Sequence, residues 1–100
     1  MSLQIDPPKH LLSVVTEPTG DIVYIHADRA GLEHLRKSIN RLLEKLAVGE
    51  PDHGHFHSPA WGGWELTTSM LPSEKDSDCK TVHHVKIYSS DEEWKRKYFL

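Results

Sequence analysis

The chain has 100 residues, 37% apolar and 27% charged, a composition that predicts one globular domain with a modest core and argues against a disordered protein. The formal net charge of −3 argues against a nucleic-acid binder, because such proteins usually carry a strongly basic patch. A single cysteine excludes an internal disulfide, and neither a signal-like start nor an apolar run of about 18 residues is present, so we expect a cytoplasmic protein that does not enter a membrane.

The first predicted elements are two strands joined as a hairpin. Residues 11–17 and 21–27 are rich in β-branched and apolar side chains, which favour strands. The short segment between them contains a proline and a glycine, the chemistry of a tight turn.

A long amphipathic helix follows the hairpin. Its apolar residues recur at helical spacing and form one stripe: Leu32, Leu35, Ile39, Leu42, Leu43 and Leu46. Asp28 stands where an N-cap belongs, and Gly49 and Pro51 mark the end. This helix is therefore the only long one that the sequence predicts.

The rest of the chain predicts three more strands, at roughly 53–58, 63–71 and 81–89. Between the last two lies a polar loop at 72–80. The final segment, 91–100, is predicted to be either a tail or a short helix.

These elements predict an α+β fold, with one amphipathic helix packed on one face of a mostly antiparallel sheet in the order β-β-α-β-β-β. The domain would span 11–90, between an N-terminal tail at 1–10 and the C-terminal segment at 91–100. A single helix leaves the other sheet face open. That open face would suit a partner or a symmetric homodimer.

The segment "HGHFH" is the most distinctive stretch of the chain. Side chains alternate along a strand, so His53, His55 and His57 would lie on the open face and Phe56 in the core. The same alternation places Trp64 in the core. It assigns three further residues to the open face: Glu65, His84 and His26.

The histidines suggest a metal site as an alternative function. Neutral imidazole binds zinc, copper and nickel, so His53 and His55, with Glu65 or His84, could make a small zinc-binding protein. Same-face neighbours on one strand lie about 6.5–7 Å apart, which lets two histidines, but rarely three in a row, reach one ion. The simpler interpretation is that these histidines are solvated strand residues.

Trp61 also admits two interpretations. It could cap the edge of the sheet, or it could be an exposed aromatic anchor for a protein partner, since tryptophan is enriched at interface hot spots.

Catalytic motifs are missing from the sequence. It has no Gly-x-Ser-x-Gly elbow and no phosphate-binding loop, and Gly62-Gly63 indicates only a turn. A hydrolase-like reaction of Cys79 with a nearby histidine is conceivable, but a lone loop cysteine is more often inert. We therefore predict that the protein is not an enzyme.

The run "GLEHLRKSINRLL", followed by "DHGHFHSPAWGGWELT" and "VKIY", resembles the immunity protein 32 family of bacterial polymorphic toxin systems. The resemblance covers roughly residues 15–90. Its cues are Gly31-Leu32 with Leu35, Asp52-His53-x-His55-Phe56, and Gly63-x-x-Leu66-Thr67. Phe56 stands where the family suggests an aliphatic residue, a departure that concerns packing.

The resemblance implies a cytoplasmic, non-enzymatic protein that binds and neutralises a cognate toxin and needs no cofactor. The positions of His53 and His55 match the family pattern, but the resemblance assigns them no role. An inhibitor needs only a rigid surface with anchors and complementary charge. We expect six residues to contact the toxin: His53, His55, His57, Trp61, Glu65 and His84.

Overall fold

The computed structural model describes residues 10–100, so residues 1–9 of the predicted tail at 1–10 lie outside the described part. The fold is α+β, as predicted, with five strands, three helices and one long helix between the second and third strands. The elements are β1 Leu12–Thr16, β2 Val23–Ala27, α1 Arg29–Ala47, β3 His53–His57, α2 Pro72–Asp76, β4 Lys80–Thr81, β5 His84–Tyr88 and α3 Glu92–Tyr98.

The strands form two small antiparallel sheets where a single sheet was expected. One sheet has the order β2-β1-β4, in which the predicted hairpin of β1 and β2 is extended by the two residues of β4. The other sheet contains β3 and β5 alone. The sequence pattern predicts strands but carries no signal for their partners, which explains why the division was missed.

The segment 63–71 was predicted to be a strand, and that prediction is wrong. Leu66 and Thr67 are both buried although they are adjacent, which a strand with one covered face does not allow. Single backbone bonds hold the segment instead: Leu66 N–H donates to the His57 carbonyl at 3.0 Å, and Thr67 N–H donates to the Leu12 carbonyl at 2.8 Å. Trp64, predicted in the core, is 63% exposed.

Helix α1 begins as predicted. The Asp28 carboxylate caps it by accepting from the Gly31 amide at 2.8 Å. Gly31 is buried in the first turn, and a Cβ there would lie 1.8 Å from the Leu11 carbonyl oxygen. The absence of a side chain at this position therefore sets how closely the helix approaches the residue before β1.

Only part of the apolar stripe on α1 is covered. Leu42 is buried, and Leu35 packs against the core. A second line of the stripe, about 60° around the helix from the first, stays exposed: Leu32, Ile39 and Leu43. The physical reason is that two small sheets offer less area to the helix than the one five-stranded sheet that the sequence suggested.

The core joins both sheets. Four buried residues form its centre: Leu12, Val14, Phe56 and Leu66. Val85 and Ile87 of β5 pack against this centre, on the side of the strand opposite His84. Phe56 fills the place on β3 where the family resemblance suggested an aliphatic side chain, and its exposure is only 4%.

Two segments outside the sheets carry additional helices. The predicted polar loop at 72–80 contains α2, whose Glu74 is buried and accepts from the Leu71 amide at 2.7 Å. The C-terminal segment takes the helical alternative and forms α3, capped by Asp91 through the Trp94 amide at 2.7 Å. No helix among residues 10–100 combines the length and the apolar character needed to cross a membrane.

Candidate functional site

The strand "HGHFH" presents two different faces because its side chains alternate. Gly54 and Phe56 are buried on the side of α1, whereas the histidines lie on the opposite, accessible side. A Cβ on Gly54 would lie 2.8 Å from the Ser38 hydroxyl oxygen of α1. Glycine between the first two histidines therefore allows the helix to pack closely behind the strand while the imidazoles point away from it.

Strand β5 completes this accessible surface. The register pairs His53 with Tyr88, His55 with Lys86 and His57 with His84. These three β5 side chains share the side of the histidines, because directly paired residues in an antiparallel sheet point the same way. We call the surface formed by these six residues and Trp61 the histidine face.

Three imidazoles meet at the centre of the histidine face. One nitrogen from each of His55, His57 and His84 can be chosen so that all three lie within 4.8 Å of one another. The Nδ1 of His55 is 2.9 Å from the Nε2 of His84, and the rings of His57 and His84 stack with centroids 4.1 Å apart. His55 is exposed, and the other two are partly buried.

The surroundings of His55 favour its neutral ring. Loss of water around His55 lowers its pKa, and the nearby His53, Lys86, His84 and His57 lower it further when they are charged. The lone pair of a neutral imidazole is available for a hydrogen bond or a metal ion.

His53 lies at the edge of the centre. Its ring contacts His55 with centroids 4.8 Å apart and Tyr88 with centroids 5.6 Å apart, but it is not one of the three converging imidazoles. The metal set predicted from sequence was His53 and His55 with Glu65 or His84. The three imidazoles that converge are those of His55, His57 and His84. Alternation along β5, continued from His84, would also have placed Lys86 and Tyr88 on this surface.

Two basic residues of α1 hold the start of β3 in position. Arg41 and Lys45 contact Asp52 Oδ2 at 3.0 and 2.8 Å, and Arg41 also donates to the His53 carbonyl at 2.8 Å. The Lys45 side chain, the His53 amide and Arg41 stabilise the carboxylate and hold the pKa of Asp52 far below its usual range. The ion pairs therefore fix the end of the strand from which His53 projects.

Trp61 forms the end of the histidine face beyond His84. It lies in a short 3-10 turn, Pro59–Trp61, and its side chain is 62% exposed. Its ring is parallel to that of His83, with centroids 6.2 Å apart, and it is also near His84 at 6.5 Å. His83 in turn forms a hydrogen bond through Nδ1 with the Ser58 hydroxyl at 2.7 Å. The exposed tryptophan therefore lies beside an imidazole whose position is fixed.

Glu65 lies near the histidine face, but its carboxylate is not part of the group formed by His55, His57 and His84. Its carboxylate accepts from the Trp64 amide at 2.9 Å. Burial favours the neutral form of Glu65, but backbone amides, including that of His57, donate to the carboxylate and bring its pKa below the usual value. Glu65 is therefore a negative charge beside His57.

His26 does not belong to the histidine face, although alternation had included it. It lies on β2 in the other sheet, where its Nε2 contacts both carboxylate oxygens of Glu74 at 3.0 and 2.9 Å. That contact links β2 to α2. The earlier placement assumed one continuous sheet, and the division into two sheets separates the residues.

The end of the histidine face near His53 opens into a cleft of about 570 Å³. Tyr88 lines one side of the cleft, and the start of α3 supplies Asp91, Glu93 and Trp94. The acidic start of α3 is therefore continuous with the histidines, and Lys97 also lines the cleft.

Cys79 lacks the environment of a reactive thiol. Burial and the carboxylates of Glu74, Glu17 and Asp78 raise its pKa. A nucleophilic cysteine needs the opposite shift, because the thiolate is the reactive form. The conceivable Cys-His reaction receives no support from this geometry.

Comparison with known proteins gives a match to a family model. Neither the curated proteins nor the solved structures include a significant match. The model of the family described as immunity protein 32 matches residues 22–85, a range that includes α1, β3, the Trp61 turn and the start of β5. Because that range is more than half of the chain, the protein belongs to the immunity protein 32 family.

Proposed function

We propose that this protein protects its cell by binding a cognate toxin directly through the histidine face, with no reaction of its own. The observation that carries the proposal is the family match over residues 22–85. That range contains all six residues expected at the contact: His53, His55, His57, Trp61, Glu65 and His84.

The histidine face has the composition of a protein-binding surface. Trp61 and Tyr88 are exposed aromatic side chains, 62% and 63% accessible, at its two ends. Aromatic residues of this kind dominate binding energy when a partner covers them. The imidazoles between them supply polar groups that can donate or accept hydrogen bonds, which gives specificity more than affinity.

The rigidity of the surface supports the same proposal. The histidines lie on a paired strand, and Arg41 and Lys45 hold its first end through Asp52. A side chain on a fixed strand loses less conformational entropy on binding than one on a mobile loop. The acidic residues at the start of α3 lie beside this surface and would complement a basic region of the toxin.

Growth protection tests the proposal in cells. A candidate toxin, taken from a neighbouring gene, would be expressed with the wild-type protein, with Trp61→Ala or with Trp64→Ala. Trp64 is the matched control because it is equally exposed, at 63%, but contacts His34 and His10 on a different part of the chain. We expect protection by the wild type and by Trp64→Ala, and reduced protection by Trp61→Ala at equal protein level.

Failure of the wild type to protect would contradict the proposed function. Protection that is lost with Trp64→Ala and kept with Trp61→Ala would move the toxin contact away from the histidine face.

A further inference from the structure

We propose that His55, His57 and His84 form a binding site for a divalent metal ion of the zinc class, with the fourth ligand position open to water or to a partner residue. The three imidazoles come from two paired strands. This arrangement avoids the spacing that prevents three successive same-face residues of one strand from reaching a single ion.

The distances fit such an ion. Zinc bonds to imidazole nitrogen at about 2.0–2.1 Å in a tetrahedral arrangement, which places ligand nitrogens about 3.3 Å apart. His55 Nδ1 and His84 Nε2 are already 2.9 Å apart. One nitrogen of each ring, His57 included, can be chosen so that all three lie within 4.8 Å of one another. Small rotations of exposed or half-buried rings would bring the three to a common centre.

The strand pair holds the three ligands in advance. His57 and His84 are directly opposite in the register, and their rings stack at 4.1 Å. His55 follows two residues earlier on β3, on the same side. The ligand positions are therefore set by backbone hydrogen bonds of the sheet, and an ion would not have to order a loop.

The ligand chemistry selects the metal class. Three imidazoles suit zinc, copper and nickel, whereas magnesium and calcium prefer oxygen ligands. Glu65 lies near His57 but is engaged by backbone amides, so it would supply negative charge near the ion without being one of the three ligands.

The experiment is a calorimetric titration of zinc into tag-free protein from which metal has been removed by a chelator. We expect one ion per chain with a Kd tighter than about 10 μM. His55→Ala, His57→Ala and His84→Ala should each weaken zinc binding by more than about tenfold. This is a lower bound, because replacing a residue that only supports a ligand typically weakens metal affinity by about 10–100-fold. Circular dichroism would establish that each variant is folded.

His53→Ala is the matched control, since His53 lies on the same strand and the same side but outside the converging set. The zinc affinity of this variant should stay within about threefold of wild type. A loss of about tenfold or more would be expected only for a metal ligand or for a residue that positions a ligand. Imidazole nitrogen chemical shifts of the wild-type protein, recorded with and without zinc, give a readout that needs no variant. They should change for His55, His57 and His84.

A wild-type Kd weaker than about 10 μM would overturn the proposal. Tight binding that survives His84→Ala, or that is lost in His53→Ala, would overturn the assignment of ligands. The titration requires no toxin, so its failure would leave the proposed function standing, and failure of growth protection would leave the metal site standing.

Discussion

The Nδ1 atom of His55 lies 2.9 Å from the Nε2 atom of His84, although 29 positions separate the two residues in the chain. The contact crosses the pair of β3 and β5 on its accessible side. Phe56, the next residue on β3, points to the opposite side and is 4% exposed. One strand therefore contributes alternately to a polar surface and to the core.

This division predicts unequal effects of neighbouring substitutions. Phe56→Ala should lower the free energy of unfolding by about 3–5 kcal/mol, because it leaves a cavity in the core. His55→Ala should change the free energy of unfolding by no more than about 0.5 kcal/mol, as surface substitutions usually do. Urea unfolding followed by circular dichroism measures both, and similar losses for the two variants would contradict the division.

Gly31→Ala should be strongly destabilising. The new Cβ would lie 1.8 Å from the Leu11 carbonyl oxygen, a contact that backbone must move to relieve. We expect a loss of more than about 3 kcal/mol in the free energy of unfolding, beyond the usual range for overpacking. The closest atom to a new Cβ in Gly54→Ala is the side-chain hydroxyl of Ser38, at 2.8 Å, so this substitution should cost less. The reverse order in thermal unfolding would mean that α1 is not held where the structure places it.

Thr67 ties the irregular segment to β1. Its buried hydroxyl accepts from the Leu12 amide at 3.0 Å and shares a hydrogen bond with the Ser13 hydroxyl at 2.7 Å. Thr67→Val keeps the shape but leaves these groups without a partner, which should cost about 1–3 kcal/mol. Thr67→Ser keeps the hydroxyl and should cost less. Equal unfolding midpoints for the two variants would show that the hydroxyl contributes nothing.

The ion pairs of Asp52 predict a dependence of stability on pH. Because Lys45, the His53 amide and Arg41 depress its pKa in the folded state, the ionised carboxylate stabilises the fold above the unfolded pKa of about 3.9. That contribution is lost as the pH falls below this value. Wild-type stability should therefore decline more steeply than that of Asp52→Asn in unfolding measurements at successive pH values below about 4. Parallel curves would contradict the role of these ion pairs.

The sequence predicted those parts of the fold that depend on local patterns. The β1–β2 hairpin, the capping of α1 by Asp28 and the outward direction of the β3 histidines all follow from turn chemistry and periodicity. The prediction of a strand at 63–71 was wrong although apolar and polar residues alternate there. The segment is irregular, and the adjacent Leu66 and Thr67 are both buried.

The grouping of the histidines was only partly predictable. Alternation placed His55, His57 and His84 on one side, but the pairing of β3 with β5 that brings them together is a long-range feature without a local signal. The same limit explains why His26 was included, since nothing in the sequence assigns it to the other sheet with Glu74. Trp64 was misplaced for a related reason, because its position depends on contacts with His10 and His34.

The affinity of the purified toxin for matched tryptophan variants tests most directly whether the histidine face binds the toxin. Trp61→Ala should weaken binding by about 2 kcal/mol or more, roughly 30-fold, if that side chain is an anchor. Trp64→Ala, with the same residue type and nearly the same exposure, should leave the Kd within about threefold of wild type. Unchanged affinity for Trp61→Ala together with a large loss for Trp64→Ala would contradict binding through the histidine face.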